Sequence, residues 1–203
     1  MGEHRHGHGA PHGHAHAFAD ADALTSVLDD PARDEWQQPE QVLKALELEP
    51  TMVVADVGAG TGYFSVRLAR ALPRGKVIAT DLSPDMVRFL TDRARREGLE
   101  NLHAVLATKH ASGLAVGSSD RILVVHAWHH LGDRLGAARS LADSLRTNGR
   151  LLVVDFTLTA PRGPPAELRV TPDMVIAELK SAGLTAARLP VEIADQFVIE
   201  ARR

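Results

Sequence analysis

The chain has 203 residues, 44% hydrophobic and 24% charged, which are ordinary proportions for a globular protein. Its net charge of −3 excludes a global basic field that would draw it to nucleic acid or anionic lipid. The absence of cysteine excludes disulfides, thiolate zinc sites, iron–sulfur clusters and thiol nucleophiles.

The first 18 residues, MGEHRHGHGAPHGHAHAF, hold six of the 11 histidines among Gly, Ala and Pro. Such a segment has too little apolar surface to offset its ordering entropy. Residues 1–18 therefore read as a disordered tail ahead of one domain over residues 19–203. Closely spaced imidazoles suit a divalent metal, so a metal-binding tail stands beside a plain solvated extension. Histidines and glycines stand where a signal peptide would be apolar. No apolar run approaches the roughly 18–20 residues of a membrane span. The expected location is cytoplasmic.

Beyond the tail, short apolar runs alternate with amphipathic stretches. Residues 52–57, 76–80, 101–106, 121–125 and 150–156 read as strands, rich enough in Val, Leu and Ile to be buried on both faces of a parallel sheet. Residues 63–72, 84–96 and 133–146 read as helices between them. Ser83-Pro84-Asp85 and Thr171-Pro172-Asp173 are helix starts, each with a capping hydroxyl, Pro at the first helical position and an acid beside it. Residues 186–190 and 196–201 close the series as paired strands. The pattern predicts a doubly wound α/β sheet with its ligand at the carboxyl ends of the strands.

The segment VVADVGAGTGYFSVRLA carries the most information. A buried strand ends in Asp56, and Gly58, Gly60 and Gly62 precede a helix. Glycines let the backbone approach a ligand without a Cβ clash, and the following helix offers its positive end. The spacing is G-x-G-x-G, not the G-x-G-x-x-G of dinucleotide binders. A carboxylate at Asp56 would repel a pyrophosphate but suits an amino or sulfonium group. Asp81 ends the next strand, where an acid can accept both hydroxyls of a ribose. Together they call for a ligand with a ribose, a cationic amino-acid end and no phosphate.

VADVGAGTGYFSVRLA, VIATDLSPDMVRFL, RILVVHAWHHL and GRLLVVDF resemble successive motifs of the class I S-adenosylmethionine-dependent methyltransferases. The likeness is to small enzymes of the ubiquinone-methyltransferase type, over residues 36–203. It implies a Rossmann-like seven-stranded sheet of order 3-2-1-4-5-7-6 with the last strand antiparallel. It further implies that Asp56, Gly58 and Gly60 contact the methionine end of the cofactor, that Asp81 holds the ribose, and that Leu82 and Met86 pack near the adenine. Two departures stand out. VLATKH lacks the acid that often bonds the adenine amino group, leaving backbone groups or Thr108, and Thr147-Asn148-Gly149 replaces Pro-Gly-Gly.

His126-Ala127-Trp128-His129-His130 follows the fourth strand directly. His126, at the strand end, is the candidate for cofactor contact. His129 and His130 are candidates for a catalytic base, since imidazole titrates near neutrality; hydrogen-bonded packing and a metal site are the competing readings. No carboxylate stands beside these histidines in sequence, and adjacent side chains are expected to diverge. Trp128 is either an aromatic wall or a cleft filler. His103 and His110 read as surface residues. Upstream, residues 30–48 resemble the helix that covers the cofactor mouth. There Arg33 would pair with the methionine carboxylate and Trp36-Gln37 would close over it, or the helix is simply amphipathic. Thr157–Arg169, rich in Pro, reads as a small lid.

The expectation is methyl transfer from S-adenosylmethionine to an oxygen, nitrogen or carbon nucleophile of a small molecule. No insertion is large enough for a separate substrate domain, no nucleic-acid partner is expected, and the oligomeric state is left open. A nicotinamide-dependent oxidoreductase is one alternative, opposed by the glycine spacing and Asp56. The other is a non-enzymatic metal-handling protein centred on the tail.

Overall fold

In the computed structural model, residues 32–109 and 111–203 are described; the tail and His110 lie outside them. Seven strands form one sheet: β1 (Val53–Val57), β2 (Lys76–Asp81), β3 (Leu102–Leu106), β4 (Ser119–Val125), β5 (Leu145–Phe156), β6 (Thr185–Arg188) and β7 (Gln196–Arg202). Their order is β3-β2-β1-β4-β5-β7-β6, as the resemblance implies. β1 to β5 pair in parallel, whereas β7 runs antiparallel to both β5 and β6.

Among the described residues six α-helices accompany them: α1 (Arg33–Gln37), α2 (Pro39–Ala45), α3 (Tyr63–Ala71), α4 (Pro84–Arg96), α5 (Arg134–Ser144) and α6 (Pro172–Ser181). The two predicted starts are capped as expected: Ser83 Oγ accepts from Met86 N–H, and Thr171 Oγ1 from Met174 N–H. Alternation along the strands splits the core. Val54, Leu123 and Leu152 face Val42 of α2, Phe64 and Leu68 of α3 and Leu90 of α4. Ala55, Ile122 and Val153 face Leu141 of α5 and Val175 and Leu179 of α6. Both faces of the sheet are thus covered, which is why its central strands read as continuous apolar runs. Among the described residues no helix is long and apolar enough to cross a membrane.

β5 begins five residues earlier than its apolar run, because Leu145 already pairs with Ser119 before the register shifts. Asn148, with φ of 63°, takes the left-handed turn in place of the missing Pro-Gly-Gly.

The parallel topology brings the ends of β1, β2, β4 and β5 to one edge. The 157–169 segment leaves β5 there and is gathered by Arg169. Its guanidinium donates to the carbonyls of Pro164, Thr157, Leu158, Ala160 and Arg162 at 2.8–3.2 Å. A Cβ on Gly163 would stand 2.6 Å from the Phe156 ring, so the segment folds tightly over the end of β5.

Candidate active site at the carboxyl edge of the sheet

The loop between β1 and α3 is tied to β2. Gly58 and Ala59 donate their N–H groups to Thr80 O at 2.8 and 3.0 Å. Gly60 N–H donates to Asp81 Oδ2 at 2.9 Å, and Ser83 N–H to Asp81 Oδ1 at 2.9 Å. Gly58, Gly60 and Gly62 all have positive φ, between 55° and 91°, a path that side chains resist. An ionised carboxylate offers about four acceptor positions. Two are used, so partly exposed Asp81 retains capacity for hydroxyls from outside.

Asp56 lies beneath this loop with 3% of its surface exposed. Ser65 Oγ donates to its Oδ2 at 2.5 Å. Burial pushes the carboxyl pKa up to about 6, opposed by the Ser65 hydrogen bond. A nearby cation would favour its ionised form. Leu82 and Leu106 are both 49% exposed, and Leu106 pairs in register with Asp81. Met86 is buried behind them. Thr108 is joined to Ala111 by an isolated bridge in the loop after β3.

His126 has a φ of 52° immediately after β4, a conformation that costs a residue with Cβ on the order of 1–3 kcal/mol and that gathers at functional sites. Its ring stacks on Phe156 at 3.9 Å and faces Trp36 of α1 at 5.8 Å. Gln196 Nε2 donates to the carbonyls of Trp36 and Ala194, which fixes the amide and turns Oε1 toward His126 Nε2, 2.8 Å away. Gln37 Nε2 donates to the same Oε1 at 2.7 Å. Burial lowers the His126 pKa to about 3, leaving the ring neutral. It is a hydrogen-bond donor and stacking surface, not a base near neutrality.

α1 packs at this edge through Trp36. The Arg33 guanidinium rests 3.8 Å above the Tyr63 ring and 5.9 Å from Trp36. Asp34 accepts from the Tyr63 hydroxyl and pairs with Arg67, contacts that hold its carboxyl below the usual range.

Residues 128–130 form one short 3₁₀ turn, and here two expectations are corrected. The His129 and His130 rings do not diverge; the tight turn brings their centroids to 4.1 Å. A carboxylate is also present, supplied by tertiary structure. Asp155, near the end of β5, accepts from His129 Nδ1 at 2.8 and 3.0 Å through its two oxygens. Trp128 is the cleft filler, fully buried with its indole N–H on Glu178 Oε2 at 2.8 Å. Among the described residues no three His, Cys, Asp or Glu side chains converge as a metal site.

Asp155, Phe156, Leu106 and Gln196 were missed in sequence. Asp155 had a usable signal: it closes a buried strand as Asp56 and Asp81 do. Gln196 had none, since its partners are 70 and 159 positions away.

Residues 54–149 match a family model described as a methyltransferase domain. The crystal structure of an S-adenosylmethionine-dependent methyltransferase from Aquifex aeolicus superposes with a TM-score of 0.83 at 28% identity, covering 90% of this chain and 98% of that one. An uncharacterized methyltransferase, YcgJ, of Bacillus subtilis is 29% identical over 61% of this chain and 47% of its own length. A ubiquinone/menaquinone biosynthesis C-methyltransferase of Pasteurella multocida is 30% identical over 51% of this chain. The match spans 40% of that enzyme.

Proposed function

We propose that this chain, which belongs to the class I S-adenosylmethionine-dependent methyltransferases, transfers a methyl group from S-adenosylmethionine to a nucleophilic atom of a small molecule. The observation that carries the reading is the joint placement of the glycine loop, buried Asp56 and partly exposed Asp81 with its spare acceptor positions. Asp81 holds the ribose hydroxyls, while Leu82, Met86 and Leu106 shape the adenine slot. Gly58 and Gly60 let the backbone approach the methionine end, and the negative charge of Asp56 favours its cationic groups. His126 lines the neighbouring wall together with Phe156 and Trp36.

S-adenosylmethionine supplies an activated methyl on a sulfonium. The displacement is in line, so most of the protein's task is to hold nucleophile and methyl in reacting geometry and to keep water out. The 157–169 segment and α1 cover the carboxyl edge for that purpose, and their short reach favours a small acceptor. A base among His129 and His130 serves acceptors that must lose a proton.

The closely spaced imidazoles of the His-rich tail suit a divalent metal, and the expected location is cytoplasmic. The test is mass spectrometry of ligand co-purified with the chain, followed by a methyl-acceptor screen that reads S-adenosylhomocysteine release. Recovery of S-adenosylmethionine or S-adenosylhomocysteine and turnover of a small acceptor are expected. Recovery of a nicotinamide dinucleotide instead would overturn the reading.

A further inference from the structure

We infer that Asp155 is a positioning residue that presents His129 Nε2 as the proton acceptor of the reaction, so that the methylated atom is one that gives up a hydrogen. The inference rests on the methyl-transfer reading above and deepens it, by choosing between the two histidines and narrowing the acceptor class.

The geometry starts from Asp155, which is 1% exposed at the end of β5. Its oxygens meet three N–H groups: His129 Nδ1–H, His129 backbone N–H at 3.3 Å and Phe156 backbone N–H at 2.8 Å. A carboxylate surrounded by donors can only accept, so the imidazole hydrogen sits on Nδ1. The lone pair is then on Nε2. Among the described residues, every hydrogen bond of the His129 ring runs through Nδ1, which leaves Nε2 uncommitted on a side chain that is 3% exposed. The backbone bond from His129 N–H to the same carboxylate locks the short turn to β5 as well as the ring. A carboxylate that both orients an imidazole and stabilises its protonated form is the arrangement by which hydrolytic triads sustain a base.

Position supports the same choice. The His129 ring lies 6.5 Å from the Phe156 ring, which stacks on His126 at the carboxyl edge beneath the 157–169 segment. His130 is exposed, and its ring makes no hydrogen bond among the described residues. His126 Nε2 is engaged with Gln196. The charged and titratable groups facing His129 are Asp155 from β5, His130 from its own turn and His126 from the end of β4. Glu178 of α6 is occupied by Trp128 Nε1 and Arg134 Nε, which pins the turn from its other side.

In the reacting step an electron pair on the acceptor atom forms the bond to the methyl carbon. The carbon–sulfur bond breaks with its electron pair left on sulfur. The acceptor's proton passes to His129 Nε2, the imidazolium is stabilised by Asp155, and the proton then leaves to water. A thioether or tertiary amine gives up no proton and does not use this pair.

The experiment compares the full chain with His129→Gln, Asp155→Asn and Asp155→Glu. Calorimetry with S-adenosylmethionine is the control: binding within about twofold of wild type is expected for all three. Failure of the wild type to bind would sink the methyl-transfer reading without touching the dyad. Nitrogen-15 NMR of the histidines in the free protein should show His129 as the Nδ1–H tautomer in wild type and Asp155→Glu, and a loss of that preference in Asp155→Asn. S-adenosylhomocysteine release is then read over phenols, alcohols and primary amines against thioethers and tertiary amines. Turnover is expected with members of the first group, falling roughly 10²–10⁴-fold in His129→Gln. Asp155→Glu should recover part of the Asp155→Asn loss. An Nε2–H tautomer in wild type, undiminished rates in His129→Gln, or turnover confined to the second group would each overturn the inference.

Discussion

Replacing Asp56 by Asn exchanges a buried carboxylate for a neutral side chain of the same shape, and the consequences for stability and binding run in opposite directions. Burial raises the Asp56 pKa to about 6 from an ordinary 3.8. An acid whose folded-state pKa is raised binds its proton more tightly when folded. Wild-type stability therefore falls as pH rises from about 4 to about 6, and the whole cost persists above that range. The gap corresponds to on the order of 3 kcal/mol. Asn keeps an oxygen that can accept from Ser65 Oγ, and the bond that Ser65 makes to the ionised form is already contained in that gap. The variant should thus be more stable than wild type at pH 7 by about 2–3 kcal/mol, a Tm rise of roughly 4–12 °C for a chain of this size. The advantage should vanish near pH 4. Binding of S-adenosylmethionine should weaken and lose its improvement between pH 5 and 7, because no carboxylate remains to ionise against the ligand's cationic groups. Thermal unfolding of both proteins from pH 4 to 8, paired with calorimetry, measures all of this. An Asn variant less stable than wild type at pH 7, or a stability difference that does not change with pH, would refute the reasoning.

Asp81→Ala should weaken S-adenosylmethionine binding by roughly 1.5–3 kcal/mol, the range for hydrogen bonds to a charged group; unchanged affinity by calorimetry would mean that the ribose is held elsewhere. Arg169→Ala removes the group that gathers five carbonyls of the 157–169 segment, so proteolytic cleavage within that segment should accelerate, as followed by mass spectrometry. Gln196→Ala breaks the link from α1 to His126 and should speed hydrogen exchange across residues 33–45 while the central strands stay protected. Deleting residues 1–17 should leave Tm and cofactor affinity unchanged and reduce retention on immobilised Ni²⁺.

The sheet was legible because its strands are buried on both faces. A run such as RLLVVDF has no polar alternative to burial, and each helix start carried its own cap. Edges were read less well where pairing, not hydrophobicity, sets them: Leu145 joins β5 through its bond to β4 across a polar Thr147-Asn148 turn. In the candidate site, residues adjacent in sequence were found and residues adjacent only in space were not. Gly60 and Asp81 lie 21 positions apart, and the strand-turn-helix pattern alone brings them together. Asp155 reaches His129 across 26 positions and two strands, and Gln196 reaches Gln37 across 159. The 3₁₀ turn reversed the expectation of diverging histidines, since three residues in so tight a turn bring neighbouring rings onto one side.

The most direct test of the account is calorimetric titration of the purified chain, freed of bound ligand, with S-adenosylmethionine, S-adenosylhomocysteine and NAD in parallel, together with Asp81→Ala. One-to-one binding of the first two, no binding of NAD, and a loss of at least tenfold in affinity in the variant are the predicted results. Binding of NAD alone, or S-adenosylmethionine binding that ignores Asp81, would contradict the assignment of the carboxyl edge as a methyl-donor site.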